Sequence, residues 1–192
     1  VPPSLPAHVE RIDARGLVVV PGFCDLHVHF REPGDEAAET IRTGCESAAR
    51  GGFSRVVPMP NTCPPIDSPE LVAWEISEAR RHSGVELYPA ACITRGRKGR
   101  ELTDMSALAE AGAVFFTDDG STVMETGVME AAMRCAARLG KPIVDHAQWE
   151  VGGDKGVMHA GSRSAALGLP GIPSDAEIEV VTRDIELAEK TG

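Results

Sequence analysis

Short apolar runs recur along the chain: Leu17–Val20, Phe23–Val28, Ser54–Met59, Glu86–Cys92, Ala113–Thr117 and Pro142–His146. Between the later runs the apolar positions change to a helical period. Ala37, Ala38, Ile41, Cys45, Ala48 and Ala49 fall on one helix face, and Gly51-Gly52 ends it. A second helix is predicted from near Ser68-Pro69, on Leu71, Trp74, Ile76 and Ala79. A third carries Met105, Leu108 and Ala109 and closes at Gly112; a fourth carries Val128, Met129, Ala132, Met133 and Ala136 and closes at Gly140. A fifth, on Ile178, Val181, Ile185 and Ala188, runs to Gly192. Strand starts near 23, 54, 86, 113 and 142 are spaced 31, 32, 27 and 29 residues apart. That rhythm predicts βαβ units and a parallel sheet. The runs alternate little, as strands do when helices cover them.

Two architectures fit: a doubly wound open sheet and a (β/α)8 barrel. No G-x-G-x-x-G follows a strand, which disfavours a dinucleotide-binding version of the first. Eight barrel units at roughly 30 residues each need about 240 residues. Only 170 run from Phe23 to Gly192, enough for five strand–helix units, so a sixth strand would fall beyond Gly192. Residues 1–22 read as a strand and turns entering from outside the barrel, and 23–192 as its first part. The chain opens at Val1 without an initiator methionine, so a processed or cut end is expected there.

Composition narrows the class. Hydrophobic residues make up 42% and charged residues 25%, as in ordinary globular domains. No run approaches the roughly 18 apolar residues of a membrane span, and residues 1–10 lack a signal-peptide pattern. The net charge of −10 argues against nucleic-acid binding. It leaves room for a small anionic substrate held by one arginine. The five cysteines are widely spaced, with no C-x-x-C, which reads as reduced thiols in a cytoplasmic protein.

The candidate chemistry gathers at strand ends. His27 and His29, two apart at the end of the first strand, point to one face. They would converge at the mouth where barrel enzymes keep their active sites, a pairing that suits Zn²⁺. Phe115-Phe116-Thr117-Asp118-Asp119-Gly120 ends the fourth strand with two carboxylates, one expected to cap a turn and one to ligate. Asp145-His146 ends the fifth. Arg31 is placed to pair with a substrate carboxylate; the alternative is a surface salt bridge with Glu32. Asn61, after the second strand, is placed to bind the same substrate group or to make an Asx turn. The basic stretch Arg95–Arg100 lacks G-K-[ST] and reads as a solvated, mobile loop. His8, His82 and His159 have no partner in the pattern.

The stretch Pro21-Gly22-Phe23-Cys24-Asp25-Leu26-His27-Val28-His29-Phe30-Arg31-Glu32-Pro33-Gly34 resembles the signature of dihydroorotases, members of the amidohydrolase superfamily, in their longer bacterial form. Met59-Pro60-Asn61-Thr62, Thr117-Asp118-Asp119-Gly120 and Leu167-Gly168-Leu169-Pro170-Gly171-Ile172-Pro173 match in the same order. The resemblance implies a TIM-type (β/α)8 barrel, of which this chain holds the first five units, and a remnant of an N-terminal β-sandwich. It implies the reversible hydrolysis of L-dihydroorotate to N-carbamoyl-L-aspartate in pyrimidine biosynthesis. It also implies one or two zinc ions: His27, His29 and Asp119 on the first, with Asp119 bridging to a second held partly by His146. Arg31 and Asn61 would bind the substrate carboxylate. Relatives such as hydantoinases bridge with a carboxylated lysine, but no lysine lies between Lys98 and Lys141.

The chain departs from the family at Ala147-Gln148-Trp149-Glu150, where Cys-Glu-Asp usually follows the histidine, and at His159, where Asn is common. A sixth-strand His ligand and an eighth-strand general-base Asp would lie downstream of Gly192. Residues 1–192 by themselves are therefore expected to be inactive and to need the C-terminal half of the barrel. Homo-oligomerisation and a complex with aspartate transcarbamoylase are the expected assemblies. The competing readings are a non-catalytic dihydroorotase-like scaffold subunit and another cyclic amidase.

Overall fold

The computed structural model describes residues 9–10, 12–82, 84–149 and 156–192. Among the described residues, seven short strands and six α-helices follow one another, with a 3₁₀ turn at Arg95–Arg97 before α3: β1 Phe23–Val28, α1 Ile41–Arg50, β2 Phe53–Pro58, α2 Pro69–His82, β3 Glu86–Leu87, β4 Ala90–Ala91, α3 Met105–Ala111, β5 Phe115–Phe116, α4 Thr126–Leu139, β6 Met158–His159, α5 Ser162–Leu167, β7 Gly171–Ile172 and α6 Asp175–Thr191. All the strand pairings are parallel. β1 pairs with β2 and β2 with β3; β4 pairs with β5; β6 pairs with β7 around α5.

The Glu86–Cys92 run forms two strands rather than one because Pro89 interrupts its ladder. Pro has no N–H to donate. The run still bridges its neighbours: the Tyr88 N–H donates to the Val56 carbonyl, and the Val114 N–H to the Pro89 carbonyl. The Pro142–His146 run is joined more thinly. Phe116 and Ile143 form a single parallel bridge, in which Phe116 N–H donates to the Pro142 carbonyl and Val144 N–H to the Phe116 carbonyl. Pro142 again lacks a donor, so no ladder extends along 142–146.

Alternation along the strands sorts side chains to two buried faces. Val56 and Phe116 face helices, whereas Val57, Met59, Ala90 and Phe115 make a separate cluster on the other face. A parallel sheet buried on both sides is what helix crossovers produce. The larger helix-side cluster packs Val72, Leu108, Met129, Ala132 and Leu187 over Phe116. On the β1 side Phe30 lies across Gly44 of α1, where a Cβ would come within 2.1 Å of its ring.

The first helix starts at Ile41, later than the apolar positions at Ala37 and Ala38 predict. Thr40 is its N-cap, accepting from Thr43 N–H at 3.1 Å, and Glu32 accepts from Ile41 N–H at 2.8 Å. Those acceptors satisfy the free first-turn donors and fix the start. Asp35–Glu39 instead forms turns. The last turn of α4 ends as expected at Gly140, at φ 63°. The small β6–α5–β7 unit was not expected from apolar periodicity, since two-residue strands carry too few positions to show one.

Residues 12–20, where a strand was expected, form no strand, and Val18 and Val19 stand exposed. No described strand pairs with them. Residues 1–8 and 11, the rest of that expected segment, lie outside the described residues. Leu26 on β1 and Ile178 and Ile185 on α6 are also exposed.

Candidate metal centre

Each candidate ligand stands at or just beyond the C-terminal end of a strand. His27 is in β1, one residue before its end, and His29 follows it; Asp119 is three residues past β5; His146 follows the Ile143 bridge. Parallel pairing in order along the sheet brings these ends together although the residues are up to 119 positions apart in the chain.

Asp119 is the hub. Its side chain is nearly buried, while those of His27, His29 and His146 stay partly open. His27 Nε2 lies 3.4 Å from Asp119 Oδ1, His29 Nε2 3.6 Å from Oδ2, and His146 Nδ1 3.8 Å from Oδ1. These separations are too long for N–H···O hydrogen bonds, which fall at about 2.7–3.2 Å. They match a different geometry. Two ligands bound tetrahedrally at about 2.0–2.1 Å lie about 3.4 Å from each other. The ligand atoms of His27, His29 and Asp119 all lie within 4.8 Å of one another. The donor set therefore fits a divalent cation of the zinc type. Oδ1 is the common neighbour of His27 and His146, as a bridging carboxylate oxygen would be.

The two adjacent aspartates face different ways. Asp118 turns into the protein: Oδ1 accepts from Ile93 N–H at 2.9 Å and Thr94 N–H at 3.0 Å, and Oδ2 accepts from the Thr94 hydroxyl. Burial pushes Asp118 above the usual carboxylate range, against the opposing pull of these hydrogen bonds and of Arg97. It ties the fourth strand end to the third. Arg97, in the stretch expected to be a solvated loop, reinforces the tie. Its Nη2 donates to the Asp119 carbonyl and, at 3.3 Å, to the Ser121 hydroxyl. The expected mobile stretch is in fact pinned: Gly96 N–H donates to Asp67 at 2.8 Å, Gly99 N–H to the Thr94 hydroxyl at 2.9 Å, and Thr94 bridges Leu102. The only sequence signal was Gly96 and Gly99, which both take positive φ in this tight path.

Arg31 and Glu32 do not pair. Glu32 caps α1, and the Arg31 guanidinium has no hydrogen-bond or ion-pair partner among the described residues. Asn61 sits within the ligand cluster itself, its Oδ1 3.0 Å from His29 Nδ1 and its Nδ2 3.2 Å from Asp119 Oδ2. An open cleft of ≈ 780 Å³ adjoins His146, walled by Arg97, Lys98, Arg100, Ser121 and Trp149. Behind His146, Asp145 lies beside Asp184, with Arg183 Nη2 3.6 Å from Asp145. Burial, and then the Asp184 carboxyl, push Asp145 up to about 7. Apolar periodicity gave no hint of this cluster. Among the remaining histidines, His82 pairs with Glu78 on α2 at 2.8 Å, and His159 is an exposed residue of β6; His8 lies outside the described residues.

A family model described as dihydro-orotase-like matches residues 16–192. The dihydroorotase of Pelotomaculum thermopropionicum is 49% identical over 186 residues, covering 97% of this chain and 43% of the relative. That of Bacillus caldolyticus is 47% identical over 188 residues, covering 98% of this chain and 44% of the relative. The chain thus spans less than half the length of the curated relatives it matches. Among solved structures, L-hydantoinase (dihydropyrimidinase) from Arthrobacter aurescens superposes with a TM-score of 0.72 at 23% identity, over 94% of this chain and 42% of that one. Dihydroorotase from Saccharomyces cerevisiae, in complex with 5-fluoroorotic acid, superposes with a TM-score of 0.60 at 15% identity, over 90% of this chain and 46% of that one. At these identities the superpositions speak for the fold alone.

Proposed function

Because the chain belongs to the dihydro-orotase-like family, we propose that it carries the first part of a zinc-dependent dihydroorotase, which interconverts L-dihydroorotate and N-carbamoyl-L-aspartate in pyrimidine biosynthesis. The observation that carries this reading is the spacing of His27 and His29 from Asp119, 3.4 and 3.6 Å, at the edge length of a zinc tetrahedron.

His27, His29 and Asp119 would hold the first ion; Asp119 Oδ1 and His146 would take part in holding a second. When bound, the metal supplies a Lewis acid for the ring carbonyl and acidifies water toward neutral pH. The protein's own residues do the rest. Arg31, its guanidinium without a partner among the described residues, offers a bidentate grip on the substrate carboxylate. Asn61, beside the ligands, has a second amide hydrogen for the same group. Holding the ring by its carboxylate fixes which amide carbonyl meets the ligand cluster and removes much of the entropic cost of the encounter. The general-base Asp and a further His ligand belong to strands outside this chain. The open side of the described fold, with Leu26 and Ile178 exposed, is where those barrel strands and helices would pack. In this reading residues 23–192 form the first strand–helix units of a TIM-type barrel and residues 1–22 lead in from a β-sandwich. The whole enzyme would be cytoplasmic and self-associating, with aspartate transcarbamoylase as a partner.

The test is ring opening by the full-length, zinc-loaded protein. Turnover of L-dihydroorotate above hydantoin and allantoin is expected, and preference for either of those would refute the substrate. Metal-free, inactive full-length protein would favour the scaffold reading instead. Arg31→Ala is expected to raise KM for dihydroorotate by about 10–100-fold, the loss of a charge-assisted bidentate contact of about 1.5–3 kcal/mol. Steady-state kinetics checks this; an unchanged KM would remove Arg31 from the substrate site.

A further inference from the structure

We propose that Asn61 is a positioning residue of the metal centre: one amide fixes the tautomer of His29 and holds Asp119, so the same side chain sets metal affinity as well as substrate grip. The inference rests on the metal-centre reading above and deepens it.

The geometry leaves one consistent assignment. An ionised carboxylate only accepts hydrogen bonds, so the group 3.2 Å from Asp119 Oδ2 is the Asn61 amide nitrogen. The Asn61 carbonyl oxygen must then be the atom 3.0 Å from His29 Nδ1. A carbonyl only accepts, so Nδ1 of His29 carries the proton. The neutral imidazole has one proton, and Nε2 is left with a bare lone pair. That lone pair is on the nitrogen 3.6 Å from Asp119 Oδ2, at ligand spacing. Asn61 thus selects the form of His29 able to bind metal and orients its ring. Partners of this kind commonly tune metal sites, and their loss typically costs about 10–100-fold in affinity.

Its place in the fold explains how one side chain reaches both ligands. Asn61 follows β2, the strand between the one bearing His27 and the one leading toward the Asp119 side of the sheet. The loop is anchored on both sides: Cys63 N–H donates to the Pro33 carbonyl at 2.9 Å, and Ile66 N–H to the Pro60 carbonyl at 3.1 Å. Gly120, after Asp119, passes close to the amide; a Cβ there would sit 3.7 Å from Asn61 Nδ2. Of the two amide hydrogens one is used by Asp119. The other is available to a substrate carboxylate, so ligand alignment and substrate binding are joined at one nitrogen.

The experiment compares Asn61→Ala and Arg31→Ala in the full-length protein, stripped of metal and titrated with Zn²⁺ against a chromophoric chelator. Asn61→Ala is expected to weaken Zn²⁺ binding by about 10–100-fold, while Arg31→Ala, which touches no ligand, leaves it unchanged. Wild-type Zn²⁺ affinity in a folded Asn61→Ala protein, with only KM raised, would overturn the inference and leave the metal centre standing. Wild-type protein that takes up no Zn²⁺ would overturn the metal-centre reading first. If the variant fails to fold, the wild-type apoprotein decides. ¹⁵N NMR of His29 at alkaline pH should find Nδ1 protonated and Nε2 bare, and the reverse would overturn the proposal.

Discussion

Asp119→Asn is expected to reduce Zn²⁺ affinity and dihydroorotate turnover by at least about 100-fold, the upper range seen for losing mere supporting partners, while the apoprotein melts close to wild type. The substitution keeps the shape of the side chain and removes the charge that three histidines share. The neighbouring Asp118→Ala should behave in the opposite way. It removes the acceptor for the buried amides of Ile93 and Thr94, and losing hydrogen bonds to a charged group costs about 1.5–3 kcal/mol. Its signature is a lowered denaturation midpoint in the apoprotein. Chelator-competition titration and urea melts on both variants separate the roles. Equal effects of the two on metal affinity would refute the division of labour.

The largest loss of stability is expected from Phe116→Ala. Phe116 is fully buried in the larger helix-side cluster, and its backbone forms the bridge to Ile143. Removing a buried phenyl ring costs about 3–5 kcal/mol in lost burial and residual cavity. A typical domain has only about 5–15 kcal/mol to lose. Because Asp118 and Asp119 follow two and three residues later, the same void loosens the hub of the metal centre. Phe23→Ala is the control: Phe23 is 57% exposed and touches chiefly Phe53, at a ring separation of 5.7 Å, so its loss should stay within about 1 kcal/mol. Similar denaturation midpoints for the two variants would contradict the assignment of the core.

Particular residues show how far the sequence could be read. The period of the apolar runs located β1, β2 and all five of the predicted helices, because each buries enough side chains to display its rhythm. It failed where a proline cut a ladder, at Pro89 and Pro142, since periodicity reports burial and not hydrogen bonding. It failed at Ala37 and Ala38 because the helix start was decided by Thr40 and by Glu32, nine residues before the amide it caps. The H-x-H pair was legible because period 2 puts both rings on one face. The choice between Asp118 and Asp119 was not legible from spacing; it came only with the family resemblance. In the fold the difference is one of direction, with one carboxylate turned toward Ile93 and Thr94 and the other toward the histidines. The role of Arg97 was equally hidden, because its partners are backbone carbonyls 21 and 22 residues away, which no side-chain pattern records.

The proposed metal centre of His27, His29 and Asp119 offers nitrogen and oxygen ligands alone. X-ray absorption at the zinc edge of the full-length, zinc-loaded protein reads that ligand set. A first shell of nitrogen and oxygen at about 2.0–2.1 Å, with imidazole scattering that disappears in His27→Ala/His29→Ala, is the expected result. A shell containing sulfur at about 2.3 Å, pointing to the exposed Cys24 or Cys63, or zinc retained unchanged in the double variant, would contradict it.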